Sequence, residues 1–413
     1  MAYQKSIFFM PVRFNNFNRF VKLISRDNRW TDTPSKNIVP RYLLPYAVRI
    51  AKNPELFRAF DLKKEDIPNI YTFEREINLK KTIQIESVRL CCFSTGIGFI
   101  EFHINFEGLS VEQITNFAYT FKKATRMNGM ALPDKKVSLY NGAKSLLPFD
   151  SDVEIFFTAS APFKYECLTF HYLQLNADYN DEIVAQRRLS LLKRSYNTSF
   201  DVGSESDFDM IYKPYANDHW GGSTEGLVNI SYDNNPQNEN YYFHTLKENH
   251  LEIDYYFMYL LLLNQRFSAI QYISDIAECS DTDKKKTETT NKKIIRLKTI
   301  FSFKIISDDQ IFQNVYSKMY NVLDIDCLLE DIRDNENQLE LIQNLSSAKA
   351  EKRSSQFLMG ISLLSLFSAL IDASSYFDRI SFLRPIATIL GTVSTVFVII
   401  FCIAWMYKKR NDR

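Results

Sequence analysis

The chain has 413 residues, with 50 Lys plus Arg against 49 Asp plus Glu, so its formal net charge is +1. That balance argues against a generic nucleic-acid binder, which needs a basic excess to release counterions from phosphates. With 24% charged residues it is not embedded in lipid throughout, and its 11 glycines include no GxxxxGK[ST] or GxGxxG phosphate loop.

The N-terminal half alternates in the manner of strands. Segments 6–12, 82–93, 96–106, 153–158 and 168–175 are predicted strands, and 88–106 pivots on Ser94, Thr95 and Gly96 like a hairpin. Ser110 opens a helix to Arg126, with Glu112 in its first turn and Lys122 and Lys123 in its last; Asp181 opens another to Tyr196. The expectation is an α/β domain over residues 1–248. No catalytic constellation stands out in it, so the chain reads as a non-enzyme. His219 to Gly222 could line a ligand pocket or form a surface turn. Arg187, Arg188, Lys193 and Arg194 form a basic helix face that could receive an anion or simply be solvated.

Residues 249–306 read as a buried helix, apolar from Tyr255 to Leu263, followed by a polar linker from Ser280 to Lys293. The six cysteines lack CxxC spacing and read as reduced and packed. The five histidines show no zinc pattern.

Residues 307–356 contain no Pro or Gly and carry apolar residues at steps of three, four and seven, which predicts a long stalk helix close to a coiled-coil period. Asp324, Asp326, Glu330, Asp331 and Asp334 would concentrate cations there in a symmetric oligomer, or be an ordinary solvated face.

Two uncharged runs end the chain. The run at 385–407 covers roughly 34 Å as a helix, enough for a hydrocarbon core of about 30 Å, and the run at 357–377 reaches that need only by passing Asp372. The expectation is therefore two membrane helices joined by a turn at 378–384, in the plasma (inner) membrane, with both termini cytoplasmic by the distribution of Lys and Arg. Leu358, Ser362, Ser365, Ala369, Asp372 and Tyr376 share one face of the first helix, which either lines a pore or packs against a neighbour.

An α/β domain, a buried helix, a long rod, two membrane helices and a basic tail: this order resembles the CorA-like metal-ion transporter superfamily. Local pattern is best at STGIGFIEFHINF (94–106), at YYFMYLLLLNQRFSAI (255–270) and from Asp324 to Arg413. The resemblance implies a homopentamer in the lipid bilayer whose first membrane helix lines the pore. It implies divalent metal cations, magnesium by analogy, as cargo, and a basic ring at Lys408, Lys409 and Arg410. The family's Gly-Met-Asn signature is missing; Ser375, Tyr376, Phe377 and Asp378 stand about there, and Asp372 and Asp378 are the candidate metal-attracting replacements. Members without that signature also resemble membrane effectors beside some bacterial type III CRISPR systems, opened in antiviral defence by a nucleotide second messenger. A membrane-tethered interaction protein without conduction is the third reading.

Overall fold

The computed structural model describes residues 3–71, 83–106, 108–123, 129–132, 135–148, 153–155, 166–176, 182–200, 210–233, 242, 246–277 and 284–378, with single residues at 385, 388, 389, 392 and 396. It divides into two compact units, 1–336 and 337–413.

The first unit is built on a mixed sheet. Its strands are β1 (Gln4–Phe14), β2 (Trp30–Asp32), β3 (Phe57–Leu62), β5 (Ile85–Phe93), β6 (Ile97–Asn105), β9 (Val153–Ile155), β10 (Leu168–Asn176), β11 (Met210–Tyr215), β12 (Asp218–Gly222) and β13 (Gly226–Asp233). The order is β11-β12-β13-β10-β1-β6-β5-β3-β2, with β9 also pairing β1. Only β10 and β13 run parallel; the other pairs of this sheet are antiparallel. A separate small sheet joins β4 (Asn69–Tyr71), β7 (Gly129–Leu132) and β8 (Lys135–Ser138). Pro11 lies in the centrally placed β1 without costing a bond on the β10 side. The β10 register ends at Phe9 opposite Leu168, and the β9 register begins at Val12 opposite Ile155.

Alternation along the strands sorts side chains onto two faces. On one, Phe8, Met10, Val12, Leu90, Ile100 and Phe102 pack with helices α1 (Phe17–Ile24), α3 (Val111–Lys122), α4 (Leu139–Leu146) and α5 (Glu182–Lys193); α2 (Pro45–Lys52) lies between β2 and β3 in the chain. Ser110 caps α3 in a capping box with Gln113. On the other face lies α6 (Tyr256–Ala277), entered through a π-helical turn at His250–Tyr255. The α6 helix is apolar around most of its circumference because it is covered on several sides. Phe9 meets Tyr259, Phe57 meets Phe257 and Phe99 meets Phe267, each edge-on, while Tyr255 stacks on Phe312 at 4.1 Å. Leu260 to Leu263 are fully buried, each contributing roughly 1.5–3 kcal/mol of transfer free energy. The hairpin tip at Thr95 is fixed to the same helix, its Oγ1 donating to Asn264 at 2.7 Å and its carbonyl accepting from Tyr272 at 2.6 Å.

Several expectations are corrected here. The stretch read as a polar linker is helical from α7 (Lys284–Arg296) onward. The stalk is not one rod, because α8 (Gln310–Val322) stops before α9 (Ile325–Asp378). The break is at Asp324, which takes φ +52°, while Arg266 donates to the Leu323 carbonyl at 2.9 Å. Asp218–Gly222 is not a surface turn but the buried strand β12, with Trp220 fully enclosed.

The largest correction concerns the membrane. Among the described residues no helix is long and apolar enough to cross one. The uncharged apolar run at 357–371 covers only about 22 Å before Asp372, short of about 30 Å. This overturns the CorA-like fold class with two transmembrane helices, the plasma-membrane, multi-pass localisation, and the membrane, transmembrane and channel assignments drawn from it. Most of the 385–407 run, the turn at 379–384 and Lys408, Lys409 and Arg410 lie outside the described residues.

Candidate functional site

The sheet face beneath α6 is mostly aromatic, yet it carries a row of charge. Strand register places Asp61 on β3 opposite Arg89 on β5, and Arg89 opposite Glu101 on β6; His103 follows two residues along β6 on the same face. Arg89 donates from Nε to Asp61 at 2.8 Å, and its guanidinium lies over the Tyr256 ring at 5.8 Å. Glu101 is fully buried. Its Oε2 accepts from the Tyr256 hydroxyl at 2.6 Å and lies 3.2 Å from His103 Nε2, and the Cys91 sulfur is 3.3 Å from the same hydroxyl.

Burial and charge set the protonation of this row. For Arg89 burial alone would lower the pKa, but Tyr256, Asp61 and Glu101 together raise it, so the guanidinium stays charged. Burial pushes the Tyr256 hydroxyl and the Cys91 thiol well above their ordinary ranges, reinforced by the neighbouring Glu101 charge. Both stay neutral, and Cys91 is not a thiolate nucleophile.

His103 and Arg89 open onto a cavity of about 590 Å³. Its walls include Lys5 and Ile7 of β1, Glu86 and Ser87 of β5, Tyr172 of β10, the segment carrying Lys36, Arg41 and Tyr42, and the π-helical turn with His250, Glu252 and Asp254. A π-helical turn inside a helix is uncommon and recurs at functional sites. Here it holds the covering segment, since Asp254 Oδ1 accepts the backbone N–H groups of Arg41 at 2.6 Å and Tyr42 at 3.1 Å, and Oδ2 lies 3.0 Å from His250 Nδ1. The Tyr42 ring meets His250 edge-on at 4.4 Å. Farther along, Ser307 donates to the Tyr42 carbonyl at 2.7 Å and Leu44 donates to the Ile306 carbonyl at 2.8 Å. The cover is thereby tied to the segment that precedes α8.

Two of the four Lys and Arg side chains that line the cavity, Lys5 and Arg89, are already paired. Lys5 reaches Glu252 and lies 3.0 Å from Glu248; burial works against its charge, but the two carboxylates outweigh that and raise its pKa. Lys36 and Arg41 are exposed at the rim and have no ion-pair partner among the described residues.

The residues singled out from sequence fall elsewhere. Arg187 is exposed, Arg188 is buried 3.4 Å from Glu112, Lys193 is buried and Arg194 lies over Tyr196, so the four do not converge. Asp324, Glu330, Asp331 and Asp334 are exposed, and Asp326 is met by Lys304 at 2.9 Å and by the Tyr320 hydroxyl at 2.8 Å. Burial would raise the Asp326 carboxyl, but those partners hold it below the usual range. Among the described residues no three His, Cys, Asp or Glu side chains gather as a metal site. On α9, Leu358, Ser362, Ser365, Ala369 and Asp372 are exposed. The two serine hydroxyls donate to carbonyls of their own helix, Ser362 to Leu358 and Ser365 to Ser362, each at 2.9 Å. The side chains of Tyr376 and Asp378 lie outside the described residues.

Sequence reading missed Lys5, Arg41, Arg89, Glu101, His103, His250, Asp254 and Tyr256. The available signal was GFIEFHINF, where a glutamate and a histidine two apart interrupt a strand that is otherwise apolar on both faces. Comparison with known proteins finds no match among family models, curated proteins or solved structures.

Proposed function

We propose that the chain is a ligand-binding module whose cavity over His103 takes a small polar molecule of about nucleotide size bearing an anionic group. The observation that carries this reading is that Lys36 and Arg41 stand at the rim of one polar cavity without ion-pair partners among the described residues, while its other cations are paired. A cavity of about 590 Å³ falls within the roughly 300–1,000 Å³ range of small-molecule sites. The wall carries both donors and carboxylate acceptors, which suits a ligand with an anion at one end and hydrogen-bonding groups at the other, such as a mononucleotide.

Binding would act on the cover. The segment from Lys36 to Leu44 is held over residues 41–44, where Arg41 and Tyr42 donate to Asp254, Ser307 donates to Tyr42 and Leu44 donates to Ile306, so a ligand that draws in Arg41 also loads the entry to α8. This is the arrangement of a sensor that reports occupancy to a helix. It retains the nucleotide of the effector reading and leaves out conduction.

The test is thermal unfolding of the full chain with adenosine 5′-monophosphate, inorganic phosphate and, as a cationic control, spermidine. Linkage makes a ligand at 100 times its Kd stabilise by about 2.7 kcal/mol. Stabilisation by the mononucleotide that is reduced in Lys36→Ala and Arg41→Ala supports the reading. Stabilisation by spermidine alone, or by none of the three, overturns it.

A further inference from the structure

The floor of the same cavity specifies the ligand's chemistry more closely, an inference that rests on the binding reading above. Glu101 is fully buried, with Oε2 shared by Tyr256 and His103 and with Oε1 lacking any hydrogen-bond partner. The imidazole nitrogen facing this carboxyl group, Nε2, is assigned the proton because the oxygen it meets also accepts from the Tyr256 hydroxyl. The remaining ring nitrogen, Nδ1, has no protein partner among the described residues, and His103 is a wall residue of the cavity with its side chain 17% exposed.

We propose that His103 reads an oxyanion of the ligand by taking up a proton as that anion binds. With Nε2–H donating to Glu101, an unprotonated Nδ1 is an acceptor and repels an oxyanion. With one proton added from solvent, Nδ1–H donates to the ligand's oxygen while Nε2–H continues to donate to Glu101. No covalent bond forms or breaks, and the proton is returned when the ligand leaves.

The charges around the ring favour this assignment. From its own strand His103 meets Glu101, and from the neighbouring β5 Arg89, which is held by Asp61, and Glu86 line the same cavity. On β1 Lys5 is held by Glu252 and Glu248, and on the π-helical turn Asp254 is taken up by His250 and two backbone N–H groups. Tyr256 on α6 and Tyr172 on β10 both stay neutral, each kept well above the ordinary tyrosine range by burial first. Glu101 is therefore the carboxyl group that directly contacts the ring.

Sodium sulfate is the probe, because it does not change protonation between about pH 5.5 and 8. Calorimetric titration of the full chain in two buffers of different ionisation enthalpy reads the protons taken up. The expected result is uptake approaching one proton per sulfate at the alkaline end, with affinity falling toward tenfold per pH unit there. His103→Gln should bind without uptake, whereas Arg41→Ala should bind more weakly with uptake retained. Imidazole 15N shifts of the unaltered protein give a readout that does not depend on a variant's folding, with Nδ1 becoming protonated on sulfate addition. Sulfate binding without proton uptake, or uptake that persists in His103→Gln, overturns this inference and leaves the anion pocket standing. Absence of binding by sulfate, phosphate and mononucleotide alike removes both.

Discussion

The Tyr256 hydroxyl donates a 2.6 Å hydrogen bond to Glu101, so that the buried helix and the central sheet are joined through a carboxylate with no exposure to solvent. Phenylalanine at 256 keeps the ring and removes the donor. Hydrogen bonds to charged groups contribute about 1.5–3 kcal/mol, and a buried carboxylate left short of donors costs in the same range. Tyr256→Phe should lower the unfolding free energy by that amount, read as a lower urea midpoint with an unchanged slope. A loss below about 0.5 kcal/mol contradicts the arrangement.

A second buried pair makes a sharper prediction. Lys247 Nζ meets Asp218 Oδ1 at 2.5 Å, with side chains 1% and 4% exposed, and Asn229 donates to the same oxygen at 2.7 Å. Burial lowers the Lys247 pKa, with Asp218 acting in the opposite sense. Removing one member strands the other, and Lys247→Met should cost roughly 3–5 kcal/mol. The double variant Lys247→Met with Asp218→Asn should recover part of that loss in the same denaturation experiment.

Acid should destabilise the fold through His171. The ring is fully buried beside Ser6, 2.5 Å from Nδ1, and Ser195, 3.4 Å from Nε2, and burial, aided by the Lys122 charge, pushes its pKa down to about 3. The unfolded chain binds the proton near pH 6.5 and the native one only near 3, so the unfolded state carries more protons between those values. Stability from this group is complete above about pH 6.5 and declines as pH falls toward 3, at up to about 1.4 kcal/mol per unit. His171→Gln should flatten that part of the stability-against-pH curve, as measured by urea unfolding at pH 7, 5.5 and 4.5.

Two backbone positions should respond in opposite directions. A Cβ on Gly98 would lie 2.7 Å from the Cys91 carbonyl oxygen, a backbone atom that cannot swing away, so Gly98→Ala should cost about 1–3 kcal/mol. Asp324 holds φ +52° at the break between α8 and α9, a conformation that glycine adopts without the side-chain penalty. Asp324→Gly should leave stability unchanged or raise it by up to about 1 kcal/mol, despite being a glycine introduced beside a helix. Differential scanning calorimetry of both variants checks the signs.

What could be read from sequence follows the strength of local pattern. The strands β1, β5, β6 and β10, the helix α3 capped by Ser110 and the helix α5 were legible because alternation and caps are local signals. The edge strands β2 and β11 and the neighbouring β12 were not: three residues of WTD, or the glycine-bearing DHWGG, carry too little period, and only their neighbours hold them in the sheet. The break at Asp324 was hidden because apolar steps of three and four continue across it. The cavity was illegible for a related reason. Lys5, Arg41, Arg89, His103 and Asp254 are far apart in the chain and meet through strand register and the π-helical turn, which single-sequence periodicity does not encode. The uncharged run at 385–407, long enough to span by itself, pulls the sequence reading toward a membrane, and the shorter run at 357–371 reads as its partner only by extension past Asp372.

The central claim is that the cavity over His103 binds an anionic small molecule. The most direct measurement is calorimetric titration of adenosine 5′-monophosphate into the full chain, with Arg41→Ala beside it. The account predicts saturable binding at a stoichiometry of about one per chain, as expected for a single cavity, weakened about tenfold or more by the substitution, or at least about 1.4 kcal/mol. Absence of saturable binding, or equal affinity in the two proteins, would contradict it.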